Sequence, residues 1–189
     1  MSMLRSLCHL IMVCLLSQSQ LGGQVDLFRA DDGVVEFTSD APLELIKANS
    51  KVLRGAIDPT ENTFAFTIDV KSFEGFNSNL QRTHFNENYL ETSKYPRATF
   101  AGKIIEQIDW DSEGEYQLRA KGILDIHGVK QERIIPSKVT LFSDRVIIRS
   151  EFSVALKEHD IDIPKIVAQK ISEEIRVGIE ITLYKQNSN

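Results

Sequence analysis

Alternation of apolar and polar side chains is the dominant pattern along most of the chain. It is clearest in residues 64–70, 116–126, 152–156 and 175–183, where every second side chain is apolar or small. A repeat of two places one row of side chains on a dry face of a β-sheet and the other row in water. Weaker alternation predicts further strands at 34–39, 52–57, 98–105, 134–141 and 145–149. The pattern therefore predicts an all-β protein of about eight strands.

Turn-forming residues separate these segments at the spacing of β-hairpins. They occupy positions 58–62, 111–114, 127–128 and 143–144 and are rich in Asp, Gly, Pro, Asn and Ser. Short turns of this kind make neighbouring strands antiparallel. A twisted sheet of about eight such strands with one apolar face either folds onto a second sheet or closes into a barrel, which removes its exposed edges. We predict the barrel.

One segment breaks the alternation and has the signature of a helix start. Ser78 and Gln81 are three positions apart, the spacing of a capping box in which Ser78 is the N-cap. The helix is predicted to run to about Tyr89 and to end before Pro96, since proline favours an extended residue before it. Its apolar residues spread around more than half of the circumference, which indicates an irregular lid. Another helical turn is predicted at 164–168.

The first 23 residues have the order of a secretory signal peptide. Arg5 is their only charged side chain, and an apolar run follows at 7–16. A positive end, a short apolar run and a zone of small residues are recognised by export machinery, and the run is too short to span a bilayer stably. Cleavage is plausible after Ser19 or after Gly23, and we take Gln24 as the mature start. The expected organisation is a signal peptide at 1–23 and one domain at 24–186.

The mature chain is expected to work outside the cytoplasm without disulfides. Both cysteines, Cys8 and Cys14, lie in the segment to be removed, so the core must stabilise the fold. The sequence also lacks an Asn-x-Ser/Thr site for glycosylation. These features favour a bacterial periplasm, with secretion as the other destination, and no transmembrane segment in the mature chain.

Charge and composition limit the classes of partner. The chain has a formal net charge of −5 and no long run of one sign, and loss of Arg5 makes it more negative. Nucleic acid is therefore not an expected partner. A homodimer is compatible with the sequence, which does not fix the oligomeric state.

The three histidines outside the leader do not form a recognisable reactive group. His84 and Glu87 have a spacing that can place two metal ligands on one helix face, but no third ligand stands at a diagnostic distance. We therefore expect a polar contact at the lid and no metal. His127 is predicted in a turn and His159 at the rim of a strand. No nucleophile stands beside a base at a recognisable spacing, so we predict neither an enzyme nor a cofactor.

The apolar strand faces are the other candidate for function. Any small barrel fills its interior with such residues, so a packed core is one interpretation. Small residues at expected inward positions, namely Ala120, Gly122 and Gly102, favour a cavity, because large side chains would fill that space better. Glycine can equally mark a bend in a strand. The sequence thus leaves a cavity and a solid core as alternatives.

The residues also resemble those of a known family. The resemblance is carried by Gly33-Val-Val-Glu-Phe, by residues 84–100 with the letters HFNENYLETSKYPRATF, by 122–128 with the letters GILDIHG, and by the late strand at 152–156. They occur in the order found in YceI-like proteins, a polyisoprenoid-binding, lipocalin-like periplasmic family, and the central segment is similar to its Bacteroidetes members. The resemblance covers about residues 25–185.

The resemblance implies an eight-stranded antiparallel barrel with a helical insertion, and a lumen that holds a long isoprenoid or fatty chain. One departure concerns the start of the helix: many members have Arg-Asp-x-His-Leu there, whereas this chain has Gln-Arg-Thr-His-Phe at 81–85. The histidine matches and the aspartate does not, which leaves the head group of the ligand open.

We therefore predict a protein that holds an apolar ligand in its lumen, with an enzyme on the same barrel and a scaffold acting through its outer surface as alternatives. The residues expected to line the lumen and lid are Phe64, Phe66, Ile68, His84, Phe85, Tyr89, Phe100, Leu118, Ala120, Gly122, Leu124, Phe152, Val154 and Ile179.

Overall fold

The computed structural model describes residues 27–186 and contains eight antiparallel strands. In chain order they are β1 (Phe28–Ala41), β2 (Glu44–Asp58), β3 (Thr63–Asp69), β4 (Arg97–Ile104), β5 (Gly114–Ile126), β6 (Val129–Leu141), β7 (Arg145–Ala155) and β8 (Glu174–Lys185). Each strand pairs with the next, and β8 pairs with β1, with Phe28 opposite Lys185. The sheet is thus a closed barrel, which confirms the predicted fold class.

The leader lies outside the described residues. The signal peptide, its two cleavage points, the mature start at Gln24 and the domain boundary therefore remain predictions. Within residues 27–186, no helix has the length and apolar character needed to cross a bilayer.

Alternation alone placed several strand boundaries wrongly. β1 begins at Phe28 instead of residue 34, because register shifts between Ala30 and Val35 interrupt the repeat of two. β2 begins at Glu44 instead of residue 52. The segments predicted separately at 145–149 and 152–156 are one strand, β7, and Leu156 already belongs to the following 3-10 turn.

The long connections lie at one end of the barrel, which we call the helical end. The connection from β3 to β4 contains a 3-10 turn (Val70–Ser72), helix α1 (Asn79–His84) and a π-helical turn (Phe85–Tyr89). The connection from β7 to β8 contains the 3-10 turns Leu156–His159 and Lys165–Val167. The short turns between β1 and β2 and between β5 and β6 are at the same end, so four connections surround one opening of the barrel.

The helical segment begins after Ser78 and ends at Tyr89, as the sequence predicts, but only its first part is regular α-helix. The Ser78 hydroxyl accepts the backbone N–H of Gln81 at 3.2 Å, which makes Ser78 the N-cap. The Gln81 side chain accepts the N–H of Asn77, not that of Ser78, so the capping box is only half formed. Regular α-helix stops at His84 and the chain continues to Tyr89 as a π-helical turn.

Apolar side chains close the opposite end of the barrel. The Trp110 ring lies 5.8 Å from that of Phe28, and its indole N–H donates to Asn62 Oδ1 at 2.9 Å. Almost fully buried residues pack at the same end: Leu141, Val146 and Leu183. The interior is therefore sealed at this end and can open only toward the helical end.

Candidate ligand-binding site

An apolar cavity of about 510 Å³ occupies the barrel interior and reaches the helical end. Side chains from all eight strands line it, together with residues of α1 and of the 165–171 segment. Cavities of this size and character are typical of sites for small apolar molecules. The alternation along each strand produces it, because the inward row of side chains is apolar.

Aromatic rings form the wall between the barrel and the lid. Phe85 of the π-helical turn stacks on Phe37 of β1 at 5.5 Å and contacts Phe73 and Phe76 at 5.9 and 5.0 Å. Deeper in the barrel, Phe64 contacts Phe66 and Phe100 at 5.8 and 4.9 Å. Offset and edge contacts of this kind stabilise the pairs beyond the burial of their area. The aromatic contacts hold the lid segment against β1 and shape the cavity beneath it.

Two of the serine hydroxyls in the cavity wall have hydrogen-bond partners within the protein itself. Ser150 Oγ donates to the carbonyl of Pro136 at 2.7 Å, and Ser39 Oγ accepts the N–H of Ser172 at 2.9 Å. A buried polar group that already has a hydrogen-bond partner does not need one from a ligand. These two serines therefore leave the interior suited to apolar chemistry.

Polar side chains concentrate at the mouth of the cavity. Gln81 Nε2 donates to Glu44 Oε1, which joins α1 to the start of β2. His84, Tyr89 and Lys170 also line the cavity, and their side chains have no hydrogen-bond or ion-pair partner within residues 27–186. Burial raises the pKa of the Tyr89 phenol, so the hydroxyl stays protonated and can donate a hydrogen bond.

The structure brings the predicted site residues together with one exception. The cavity wall contains Phe64, Phe66, Ile68, His84, Phe85, Tyr89, Phe100, Leu118, Ala120, Leu124, Phe152, Val154 and Ile179. Their role in binding remains a prediction.

Gly122 is the exception, and the expectation that it widens the cavity floor is wrong. Gly122 lies opposite Gly102 in the β4–β5 pair. A Cβ at Gly122 would collide with the carbonyl of Ala101, and one at Gly102 would collide with the carbonyl of Lys121. Both glycines therefore allow two strands to approach closely, and Ala120 is the small residue that lines the cavity.

Two histidines hold the connections together, and one of them corrects an expectation. His127 lies in the β5–β6 turn with φ of 54°; its Nε2 is 2.8 Å from Glu91 Oε2 and its Nδ1 is 3.1 Å from the carbonyl of His159. His159 was expected at a rim but is fully buried, with Nδ1 3.2 Å from the carbonyl of Val129. Both are structural links between connections at the helical end.

Within residues 27–186, no three side chains among His, Cys, Asp and Glu come together as a set of ligands. His84 instead lines the cavity mouth.

Sequence reasoning missed several regions that line the cavity, and two of them show why. The first half of β2 supplies Ile46, and the connection before β8 supplies Val167 and Ile171. Alternation is weak in the first region and absent from the second, so no periodic signal indicated either of them. Only the closure of the barrel places them beside the predicted residues.

Comparisons with solved structures agree with this barrel. A polyisoprenoid binding domain from Saccharophagus degradans, implicated in plant cell wall breakdown, aligns over 87% of this chain and 100% of its own, with a TM-score of 0.71 and 15% identity. BcnA of Burkholderia cenocepacia aligns over 79% of this chain and 95% of its own, with a TM-score of 0.65 and 16% identity. At such identities the likeness shows a shared fold.

The Campylobacter jejuni YCEI protein is similar as well, with a TM-score of 0.56 and 16% identity over 74% of this chain and 85% of its own. No curated protein matches the chain significantly. The family model for the YceI-like domain matches residues 19–183. The chain therefore belongs to the YceI-like domain family.

Proposed function

We propose that this protein is an extracytoplasmic binding protein that holds a long apolar molecule, a polyisoprenoid or a fatty-acid-like chain, in its barrel. The observation that carries the proposal is the apolar cavity of about 510 Å³. The name of the Saccharophagus degradans neighbour, a polyisoprenoid binding domain, supports the same class of ligand.

The size of the cavity argues against a solid core as the reason for the apolar strand faces. Native interiors are close-packed and contain few voids larger than a water molecule. A space of about 510 Å³ is far larger than such voids, so the interior is not filled as a solid core would be. Water gains little in a space with few polar partners. An apolar guest is therefore the better occupant of this space.

The distribution of polar groups indicates how such a guest lies. The far end is sealed by Phe28, Trp110 and their neighbours, while His84, Tyr89 and Lys170, whose side chains have no partner within residues 27–186, lie at the mouth. A chain with one polar end therefore fits with its apolar part inside and its head group among these three residues.

Binding accounts for the site better than catalysis does. The hydroxyls of Ser39 and Ser150 bond to backbone atoms, so neither is activated by a base as a nucleophile must be. His127 and His159 bind backbone carbonyls and Glu91. These serines and histidines stabilise the barrel, and they are not arranged as a nucleophile and base that could act on a substrate.

Native mass spectrometry of the protein purified from its own host tests the proposal directly. We expect a co-purifying apolar molecule on the wild-type protein. Ala120→Trp should remain folded and lose that molecule, because the ring occupies space inside the cavity that the guest otherwise fills. The matched control is Ile123→Trp on the same strand, where the side chain is 43% exposed on the outer wall; it should keep the full ligand load.

A wild-type protein that carries no apolar molecule would contradict the proposal, and two results with A120W would contradict binding at this face of β5. If A120W strongly destabilises the protein, the ring is displacing packed protein, for which an overpacking cost of about 1 to 3 kcal/mol is typical. If A120W keeps its full ligand load, the guest lies somewhere other than this face of β5. Circular dichroism melts of both variants separate these cases.

A further inference from the structure

Exposed apolar side chains stand around the cavity mouth. Leu43 in the β1–β2 turn is 66% exposed, Leu80 in the first turn of α1 is 63% exposed, and Ile166 in the last 3-10 turn is 92% exposed. A single exposed apolar residue is ordinary, but several gathered in one place indicate an interaction site. The three residues stand on three different connections, so no single helix or strand pattern explains their exposure.

The three connections meet at the opening. The backbone N–H of Leu43 donates to the carbonyl of Gln169 at 2.9 Å, which joins the β1–β2 turn to the 165–171 segment. The hydrogen bond from Gln81 to Glu44 joins α1 to the same turn. Leu80 itself lines the cavity. The exposed apolar residues therefore form a rim around the mouth.

Two cations belong to this rim. Lys165 precedes Ile166 directly, and Lys170 lies at the edge of the cavity. Both are exposed, and neither side chain has an ion-pair partner within residues 27–186. Of the two acids nearest in the chain to Leu43, Asp40 is paired with Arg176, whereas Glu44 accepts a hydrogen bond from the neutral Gln81 amide and keeps its charge. We call Leu43, Leu80, Lys165, Ile166 and Lys170 the mouth rim.

We propose that the mouth rim docks on the surface of an anionic lipid bilayer, so that an apolar guest passes between the bilayer and the cavity without crossing water. The passage of the guest rests on the proposed function, whereas docking can be measured without it. Apolar side chains flanked by lysines match the boundary between acyl chains and anionic head groups.

Co-sedimentation with vesicles tests docking. The probes are vesicles of phosphatidylglycerol with phosphatidylethanolamine, and vesicles of phosphatidylcholine as the neutral comparison. We expect the full mature protein to bind the anionic vesicles more tightly, with an affinity that falls as salt is raised. Leu43→Ser with Ile166→Ser should weaken binding to the anionic vesicles at least tenfold, since both side chains lose apolar burial.

A matched double variant controls for the loss of exposed apolar surface. Ile123 and Ile134 are 43% and 53% exposed on the outer wall of the barrel, and I123S with I134S should bind vesicles like the wild type. Lys165→Gln and Lys170→Gln should each weaken anionic binding about fivefold, the equivalent of about 1 kcal/mol per basic residue near the surface. Their binding to neutral vesicles should not change.

The outcomes separate docking from ligand binding. If the wild type does not bind anionic vesicles, or if the outer-wall variant loses binding as much as the rim variant does, docking at the rim is wrong. A wild-type dimer that L43S with I166S converts to a monomer, without vesicle binding, would identify the rim as an interface between copies and would also overturn docking. Vesicle binding by a protein that never carries an apolar guest would support docking while contradicting the proposed function.

Discussion

Ala120 and Gly122 are both small inward residues of β5, but they have different roles in the structure. Both lie on the inward row of β5, and alternation treats them alike. Ala120 lines the cavity, while Gly122 faces Gly102 across a close approach of β4 and β5. An inward position can be predicted from the sequence, but whether it leaves space depends on the neighbouring strand, which alternation does not describe.

Gly102→Ala should destabilise the barrel by at least about 2 kcal/mol, because the added Cβ would meet the carbonyl of Lys121 and the strands must separate. The measurement is the free energy of unfolding in denaturant. Gly178→Ala is the control: nothing lies within 4 Å of a Cβ at that position in β8, so loss of glycine flexibility should be neutral or stabilise by up to about 1 kcal/mol. Equal effects at the two positions would show that close strand approach is not what requires glycine at residue 102.

Strand elements were predicted well where the alternation is unbroken and poorly where it is not. Residues 116–126 were predicted as a strand and lie in β5 (Gly114–Ile126). The start of β1 was missed, since Asp31, Asp32 and Gly33 interrupt the apolar row at the register shifts. Pro42 and Leu43 connect β1 to β2 without a strong turn signal, so the first hairpin was not predicted either. Irregular pairing of this kind depends on the partner strand.

The β6–β7 pair, a seam of the barrel, is short for the length of its two strands. The strands pair only from Ser137 opposite Ser150 to Leu141 opposite Val146. Pro136 comes directly before the paired residues of β6 and has no N–H to donate. Beyond it, side chains replace the backbone ladder: Arg133 Nη2 donates to the carbonyl of Ser153 at 2.6 Å.

Arg133 is therefore expected to control local opening of this seam. Arg133→Gln removes its bonds to Ser153 and to Glu158 Oε2, the latter at 3.0 Å. We expect faster hydrogen exchange in peptides covering residues 150–160, with a global loss of about 1 kcal/mol.

Lys138→Gln on the same strand controls for the loss of a positive charge. Its ion pair with Glu115 is exposed on both sides, and such pairs contribute little to stability, so exchange in the same peptides should remain at the wild-type rate. Unchanged exchange in R133Q would show that β7 is held at this seam by its pairing with β8 alone.

At the scale of the whole molecule, closure of the barrel brings the apolar faces of all the strands together around one cavity. Phe28 pairs with Lys185, and Phe37 with Val177, residues from opposite ends of the domain. Closure could be predicted because about eight strands with one apolar face leave costly edges if they remain open. The cavity volume and the sealed far end could not, because they depend on how side chains from all strands meet.

The positions of the leader and of the two cysteines also predict the compartment in which the barrel folds. β1 begins at Phe28, after the expected cleavage points at Ser19 and Gly23. Both cysteines precede those points, so the barrel needs no disulfide and its stability rests on strand pairing and apolar burial. We expect the mature protein to begin between Gln20 and Gln24 and to accumulate outside the cytoplasm.

N-terminal sequencing of the protein from the periplasm and membrane fractions of its host checks this expectation. Leu10→Arg with Leu15→Arg should retain the full-length chain in the cytoplasm, because two charges interrupt the apolar run that export requires. Cys14→Ser is the control and should be cleaved at the wild-type position, since Ile11, Met12 and Val13 before it lack the small residue that lipid attachment needs. Recovery of the wild-type chain with an intact Met1 in the membrane fraction would identify residues 1–23 as an anchor. The cavity would then be tethered to the bilayer by its own chain, and vesicle binding would have to be measured on a variant that lacks that segment.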